Sequence, residues 1–337
     1  MSKTLLVTGG AGFIASNFIH HLKQKHPDYH IINIDKRTYA GSETNLKSIS
    51  FQENYDFIEG DIADAQLINR IFADYAIDGV IHFAAESHVD RSIKDVKTFI
   101  ESNVLGTAVL LQAAREAWSQ AGELDTRRFH HISTDEVYGS LSLSDNETFN
   151  EQTPYDPRNP YSASKAGADM LVKSFGHTYG MNVVTSSSSN NYGPGQHTEK
   201  LIPTVISTAL EGKPVPIYGD GKNVRDWLYV TDHCQALDLI FHHGNALEKY
   251  NVGGRNERTN IELAMMICDI LDHLKPGQHS HKELITFIGD RKGHDRRYAV
   301  DDRKIRAELG WGPFTSFETG LYNTVEWYVD QWEKVIL

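Results

Sequence analysis

Cysteine is scarce in this 337-residue sequence, which contains only Cys234 and Cys268. Neither stands in the CxxC spacing of a redox or metal motif, so a disulfide framework and a zinc ribbon are both excluded. We expect two reduced thiols in a cytoplasmic protein. The 17 histidines are scattered, and the paired ones lack the partner spacing that zinc requires. The sequence therefore predicts no metal site.

Long apolar runs and surplus positive charge are missing as well. No stretch approaches the twenty apolar residues of a membrane-spanning helix. The apolar part of residues 1–8 is too short for a secretory signal, so we expect none. The 33 Lys and Arg are outnumbered by 45 Asp and Glu, for a net charge of -12. This balance argues against a nucleic-acid binder, although a local basic pocket can still hold a nucleotide.

Short apolar strands alternate with helices through the first half of the chain. Strands are predicted at 4–8, 31–35, 56–62, 79–85 and 129–133, with helices at 13–25 and 103–118. This alternation is typical of parallel βαβ units, and it predicts an α/β fold with a doubly wound parallel (Rossmann) sheet.

The regular alternation of strands and helices ends near residue 180. A strand at 183–185 is followed by a polar, turn-rich segment at 186–199, a strand within 213–221, and helices at 262–273 and 316–333. We expect a smaller, mostly C-terminal α/β lobe that binds substrate, and we expect a strand around 228–230 to rejoin the large lobe. The predicted division is 1–185 plus about 226–250 against 186–225 and 251–337.

Gly9-x-x-Gly12-x-x-Ala15 stands between the first strand and the first helix. Gly9 allows a tight turn, and Gly12 lets the backbone approach a pyrophosphate at the helix N-terminus. Asp35 ends the second strand, where a carboxylate accepts hydrogen bonds from a ribose and repels a 2′-phosphate. The pattern predicts NAD as cofactor, although the positive charge of Lys36 weakens the preference for NAD over NADP. The alternative is a strand–turn–helix junction that merely favours glycine.

Tyr161 and Lys165 lie four residues apart, so they share one face of a helix. A lysine charge near the phenol lowers its pKa from about 10, which would make Tyr161 a base near neutral pH. Thr134 can hold a sugar hydroxyl, and Asp135 and Glu136 can move two further protons. The acid pair could equally serve as first-turn residues of a capped helix, and the pattern alone leaves both readings open.

The motifs TGGAGFI at 8–14, YSASK at 161–165 and NYGP at 191–194 resemble the extended short-chain dehydrogenase/reductases that act on nucleotide sugars. More narrowly, the chain is similar to the dTDP-glucose 4,6-dehydratase family in five further segments, which read FAAESHVDRS at 83–92, STDEVYG at 133–139, EKLIP at 199–203, RDWLYV at 225–230 and RKGHDRR at 291–297.

The resemblance implies an NAD-dependent lyase that oxidises the sugar at carbon 4, eliminates water across carbons 5 and 6, and reduces carbon 6. Tyr161 would act as base at the 4-hydroxyl, Glu136 as base at carbon 5, and Asp135 as acid at the departing hydroxyl. Two departures from the family are Ala15, where glycine is usual, and the serine run at 186–189.

Further contacts follow from the resemblance alone. A homodimer joined by helices near 103–118 and 161–175 is implied. NAD contacts are implied for Gly9, Gly12, Phe13, Ile14, Asp35, Lys36, Thr38, Asp61, Ile62, Ala84, Ala85, Ser102, Tyr161, Lys165 and Asn191. Contacts to the nucleotide sugar are implied for His88, Thr134, Asn190, Lys200, Leu201, Pro216, Tyr218, Arg225, Asn260, Arg291 and His294.

Three alternatives stay open at this point. A UDP-sugar 4,6-dehydratase would use the same residues on a base that lacks one methyl group. A nucleotide-sugar 4-epimerase would need Tyr161 and Lys165 but not the acid pair. A non-catalytic, NAD-sensing regulator on the same fold would have lost the tyrosine or the lysine, and both are present here.

Overall fold

The computed structural model of the chain describes residues 2–144 and 146–336. Its strands are β1 Thr4–Thr8, β2 His30–Asp35, β3 Tyr55–Glu59, β4 Gly79–His82, β5 Arg128–Thr134, β6 Val183–Ser188, β7 Asn190–Tyr192, β8 Val215–Tyr218, β9 Val224–Tyr229, β10 Lys249–Val252, β11 Glu257–Thr259 and β12 Ile285–Ile288. Its helices are α1 Phe13–Lys25, α2 Ala65–Asp74, α3 Val89–Lys94, α4 Val96–Phe99, α5 Gly106–Ala121, α6 Pro160–Tyr179, α7 Leu201–Leu210, α8 Val230–His243, α9 Asn260–Leu274, α10 Arg303–Leu309 and α11 Phe317–Ile336.

Seven of these strands form one parallel sheet in the order β10-β6-β5-β4-β1-β2-β3. Successive side chains of a strand point to opposite faces, so both faces of the sheet need apolar cover. Leu5 of β1 packs with Phe18 of α1 and Leu237 of α8 on one face. Leu6 packs with Trp118 of α5 on the other. The predicted doubly wound Rossmann fold is confirmed.

The sixth strand is longer than its sequence suggests. We expected turns from residue 186, but β6 continues to Ser188. Ser186 is paired with Ile132 on one side and Tyr250 on the other, and its hydroxyl lies 3.0 Å from His130 Nε2. The backbone N–H and C=O groups of a central strand form hydrogen bonds to the strands on both sides. Such a strand can therefore continue through serines, at which an edge strand would end.

The smaller sheets hold the segments that follow. β9 pairs with β7 and β11 in a three-stranded sheet, and β8 pairs with β12. The strand predicted around 228–230 thus pairs in the three-stranded sheet, although its Leu228 packs with Val184 of β6. The strand that pairs back into the large sheet is β10. The helices α7, α9 and α11 share an apolar core with β8 and β9. The exact division into lobes remains a prediction.

A π-helical turn, Ile100–Leu105, joins α4 to α5. It carries Asn103, which is 1% exposed. The Asn103 amide accepts a hydrogen bond from Glu86 N at 2.8 Å and donates to Glu86 O at 3.0 Å and to Ser164 Oγ at 2.8 Å. One side chain thus ties the loop after β4 to the helix that carries Tyr161.

The two cysteines lie apart from each other. Cys234 in α8 and Cys268 in α9 are both buried and form no disulfide. Across residues 2–144 and 146–336, no helix combines the length and the apolar character needed to cross a membrane.

Candidate active site

A cavity opens where β1, β2, β4 and β5 end, which is where an open parallel sheet binds its ligands. It brings together every residue predicted to be catalytic or to contact NAD. The predicted residues that line it are Gly9, Gly12, Phe13, Ile14, Asp35, Lys36, Thr38, Asp61, Ile62, Ala84, Ala85, Ser102, Thr134, Asp135, Glu136, Tyr161, Lys165 and Asn191.

The glycine turn leaves its helix terminus open toward this cavity. Gly9 has φ of 70°, and a Cβ atom there would lie 2.7 Å from Ala84 Cα, so only glycine fits. Gly12 is the N-cap of α1, it offers no side-chain cap, and the first turn carries no acid. The amides and dipole of α1 are therefore available to an anion.

Asp35 closes the same end of the cavity. Its carboxylate accepts hydrogen bonds from Ala11 N at 2.9 Å and from Arg37 N at 2.7 Å. Burial raises the pKa of Asp35, and these two amides partly oppose the rise. Lys36 Nζ lies 2.6 Å from a carboxylate oxygen of Asp61, so its charge is already paired. This pairing weakens the case for Lys36 as a 2′-phosphate ligand.

The acid pair does occupy the first turn of a short capped helix, which is the structural alternative left open by the sequence, but that position leaves two of its oxygens unpaired within the described chain. Thr134 is the N-cap of the 3-10 turn Asp135–Tyr138, and its hydroxyl accepts from Glu136 N at 3.3 Å. Asp135 is 2% exposed. Asp135 Oδ2 and Glu136 Oε2 are both buried without a hydrogen-bond partner among the described residues. Because leaving a carboxylate oxygen unpaired costs stability, such an arrangement points to a functional role.

The surrounding charges act differently on the pKa values of Asp135 and Glu136. Burial raises the pKa of Asp135 well above its usual value, and the charges of Glu136 and Asp226 raise it further. Burial also raises the pKa of Glu136, but Arg291, Arg225 and Lys200 oppose that rise. Both acids therefore have raised pKa values, and the rise is larger for Asp135, which is more strongly favoured in its protonated form. Such a difference in pKa is how paired carboxyl groups acquire different roles.

The environment of Tyr161 differs from our expectation. Burial raises the pKa of Tyr161 well above its usual value, Glu136 adds to the rise, and a hydrogen bond with Thr134 opposes it. Lys165 is also buried, which lowers its pKa to about 8, and its Nζ donates to Ile132 O at 2.7 Å. The Tyr161 pKa is thus raised overall, not lowered as expected, because desolvation and the nearby acids dominate.

Sequence reasoning missed a buried group beneath Lys165. Asp169 follows Lys165 by one helical turn, and its carboxylate accepts from Tyr155 OH at 2.6 Å and lies 3.2 Å from His131 Nε2. The Asp169 charge raises the Lys165 pKa against the effect of burial. The four-residue spacing of Lys165 and Asp169 was the available signal.

The predicted substrate residues are only partly gathered at the cavity. Three of them line it, namely Thr134, Asn190 and Lys200. The other eight do not: His88, Leu201, Pro216, Tyr218, Arg225, Asn260, Arg291 and His294. Lys200 lies at the boundary between the two groups, with its Nζ donating to Ser87 O at 3.1 Å.

The two arginines predicted to clamp a diphosphate differ in their surroundings. Arg225 is 5% exposed, donates to Val224 O and Asp295 O, and lies over the Tyr298 ring. Most of its hydrogen-bonding capacity therefore points into the protein. Arg291 Nε is buried without a partner among the described residues. Its unsatisfied donor makes Arg291 the better candidate for an anion ligand.

Several lining residues were not singled out from the sequence. Glu199 is the main one: its carboxylate lies 3.6 Å from His88 Nε2 and 3.7 Å from Arg91 Nε. The remainder are mostly neighbours of predicted positions, such as Glu86, Ser133, Ser189 and Gln196. Adjacency to a motif was the signal that could have found them.

A dinucleotide-type glycine turn, a Tyr–Lys pair on a helix and a hydroxyl-rich strand end define an extended short-chain dehydrogenase/reductase. The GDP-mannose 4,6 dehydratase family model matches residues 6–324. The chain is 51% identical over 339 residues to a dTDP-glucose 4,6-dehydratase of Salmonella typhimurium, covering 97% of this chain and 94% of that protein.

Solved structures agree with this comparison. The crystal structure of DesIV, a dTDP-glucose 4,6-dehydratase from Streptomyces venezuelae with NAD and TYD bound, matches with a TM-score of 0.90 and 43% identity over 98% of each chain. A UDP-glucose 4-epimerase from Thermotoga maritima with UDP-glucose matches with a TM-score of 0.85 and 28% identity, over 98% of this chain and 99% of that one. The chain belongs to the GDP-mannose 4,6 dehydratase family, and the resemblance predicted from its motifs is confirmed.

Proposed function

We propose that this protein is an NAD-dependent dTDP-glucose 4,6-dehydratase. It converts dTDP-glucose to dTDP-4-keto-6-deoxyglucose and water, as a lyase in rhamnose-type deoxysugar biosynthesis. One observation carries the proposal: two acids with buried carboxyl oxygens, unpaired by any described residue, and with differently shifted pKa values line the same cavity as Tyr161. The elimination of water needs one base and one acid, whereas hydride transfer alone uses neither Asp135 nor Glu136.

The cavity suits NAD. The uncapped N-terminus of α1 would hold the pyrophosphate, and Asp35 would accept hydrogen bonds from the adenosine ribose. When bound, NAD supplies a positively charged hydride acceptor for carbon 4 of the hexose and returns the hydride to carbon 6. DesIV was crystallised with NAD, which agrees with this assignment.

The chain's own residues handle the protons. Tyr161 removes the proton of the 4-hydroxyl, which Thr134 orients, and Lys165 holds positive charge close by. The resulting 4-ketone acidifies carbon 5. Glu136, whose pKa three basic groups hold down against the effect of burial, removes that proton. Asp135, biased toward its protonated form, gives its proton to the carbon 6 hydroxyl as water departs.

The nucleotide and sugar are assigned to the basic end of the cavity. Lys200 and Arg291 lie near enough to affect the Glu136 pKa, so an anion held by them places its sugar near the acid pair. We assign thymine rather than uracil as the base because the relatives are named as dTDP-glucose enzymes. The two bases differ by one methyl group, so the shape of the pocket must supply the difference in binding free energy, about 1–3 kcal/mol.

The direct test is incubation of the full chain with dTDP-glucose and UDP-glucose, followed by mass spectrometry. We expect a product lighter by one water molecule, with dTDP-glucose preferred. An isomer of unchanged mass with an inverted 4-hydroxyl would instead identify an epimerase, which has no use for the acid pair. Bound NAD without turnover of either sugar would favour a regulator.

We further infer a homodimer in the cytoplasm. Apolar side chains are exposed along the π-helical turn and the neighbouring helices α4 and α6, where Val96, Ile100, Leu105 and Met170 are 46%, 46%, 49% and 52% exposed. Leu105 and Met170 lie within the segments 103–118 and 161–175 that the resemblance implies at the interface, and Val96 and Ile100 lie just before the first of them. The buried, unbonded thiols suit a reducing compartment.

The dimer gives a second prediction. Met170→Glu places a charge within the apolar surface, so we expect it to shift the mass measured by light scattering from two chains to one. Met265→Glu is the matched control, because Met265 is 44% exposed in the other lobe and should leave the mass unchanged. A monomeric parent protein, or a dimer that tolerates the Met170 change, would contradict this interface.

A further inference from the structure

A second cluster of titratable groups lies away from the cavity, where the end of α1 packs against α8. Its centre is Asp238, whose side chain is 2% exposed. His26 Nε2 and His242 Nδ1 lie 3.0 and 2.9 Å from Asp238 Oδ1. His21 Nε2 and Lys25 Nζ lie 3.2 and 2.6 Å from Oδ2. None of these five residues, called the Asp238 cluster below, lines the active-site cavity.

We propose that His26, Asp238 and His242 bind one divalent transition-metal ion, best fitted by Zn²⁺, with His21 as a fourth ligand. Imidazole nitrogens and a carboxylate oxygen are a common donor set for zinc. Within the described part of the chain, the donor atoms of the first three residues all lie within 4.8 Å of one another.

The spacing of the donors fits tetrahedral coordination. Zinc bonds of about 2.0–2.1 Å place neighbouring ligand atoms roughly 3.3 Å apart. The two distances from Asp238 Oδ1 to the histidine nitrogens are 2.9 and 3.0 Å. Small side-chain rotations would therefore admit an ion without moving either helix.

The charge at the centre also fits. Four nitrogen donors surround the Asp238 carboxylate at 2.6–3.2 Å, an environment that favours its ionised, ligating form. Lys25 competes with an ion for the carboxylate, but its side chain is 48% exposed, so it can turn into solvent.

A supporting partner for one ligand is already in place. Tyr29 OH lies 3.0 Å from His242 Nε2, and the Tyr29 ring stacks on His26 with centroids 4.6 Å apart. Metal-bound histidines usually donate their second N–H to such a partner, which fixes the tautomer. His242 Nδ1 also lies 2.9 Å from the Asp238 carbonyl oxygen, a contact that is a hydrogen bond only when Nδ1 carries the proton. To bind an ion, Nδ1 must be free of the proton, which then lies on Nε2, facing Tyr29.

The competing explanation is a carboxylate satisfied by four hydrogen-bond donors, with no affinity for metal. The linear sequence favours neither, because His26 and Asp238 are 212 residues apart. Histidine spacing within each segment lacked a zinc pattern, and the ligand set appears only when α1 and α8 meet.

The test is titration of chelator-treated full-length protein with Zn²⁺ at neutral pH, followed by calorimetry and thermal melting. We expect one ion per chain and a melting temperature that rises with ion concentration. His242→Gln and Asp238→Asn should each weaken binding at least tenfold. His243→Gln changes the exposed neighbouring residue and should leave affinity unchanged. Equal affinity in all three variants, or no saturable binding by the parent protein, would overturn the site.

Two further measurements do not depend on the ligand variants folding. Tyr29→Phe keeps the ring and removes only the supporting hydroxyl, so affinity should fall about 10–100-fold. Co²⁺ added to the parent protein should give the strong visible absorption of a four-coordinate ion. Weak, octahedral-type absorption, or unchanged affinity in Tyr29→Phe, would mean that the Asp238 cluster is only a hydrogen-bonded network.

Discussion

Glu136→Gln should separate oxidation from dehydration. With dTDP-glucose, the variant should still oxidise carbon 4 and accumulate reduced cofactor, because Tyr161 and Lys165 are intact. Elimination should slow by about 10²–10⁴-fold, since the amide cannot accept the carbon 5 proton. Stopped-flow absorbance of the reduced nicotinamide and mass spectrometry of the product measure the two steps.

Two comparison variants make this assignment specific. Asp135→Asn should also block water loss, yet carbon 5 should still exchange with deuterated solvent because Glu136 remains. Glu136→Gln should abolish that exchange. Glu151→Gln is a control for replacing a half-buried carboxylate, since its accepted bond from Asn251 N survives in the amide. Normal dehydration by Glu136→Gln would remove Glu136 from the role of base.

Tyr161→Phe should stop the reaction at its first step. The phenol is the group placed to take the 4-hydroxyl proton, so oxidation should slow by about 10²–10⁴-fold and no reduced cofactor should appear. Substrate binding should be little changed, because the ring that packs edge-on against Phe99 is retained. Single-turnover absorbance and equilibrium binding separate these two effects.

Tyr250→Phe provides the matched control. Tyr250 is buried as well, but its hydroxyl donates to Glu308 and accepts from Asn245 N, outside the cavity lining. The variant should lose only stability, on the order of 1 kcal/mol for each of these hydrogen bonds. A Tyr161→Phe variant that forms reduced cofactor at the parental rate would show that another group takes the proton.

The sequence predicted the features that depend on local pattern. Apolar runs and glycine breaks located six of the seven strands of the large sheet, all except β10. The glycine turn, the acid pair and Tyr161–Lys165 all reached one cavity. These predictions succeeded because the ends of parallel strands converge, so motifs that follow strands meet in space.

What could not be predicted depends on contacts between distant segments. The strand β6 runs through serines because β5 and β10 flank it. The partner strand β10 lies about sixty residues further along the chain, so local pattern gives no sign of the pairing. The Tyr161 pKa is set by burial and by Glu136 rather than by the lysine four residues away. The Asp238 cluster likewise needs α1 and α8 to pack together before its spacing exists.

Asn103 has a consequence for how this fold could diverge. Its amide is shared between the Glu86 backbone and Ser164, so the cavity wall and the helix bearing the phenol cannot shift independently. A homologue that accommodated a bulkier sugar by moving that wall would displace its proton acceptor too. Novel substrate ranges should therefore arise from changes elsewhere around the cavity, while the wall itself stays constant.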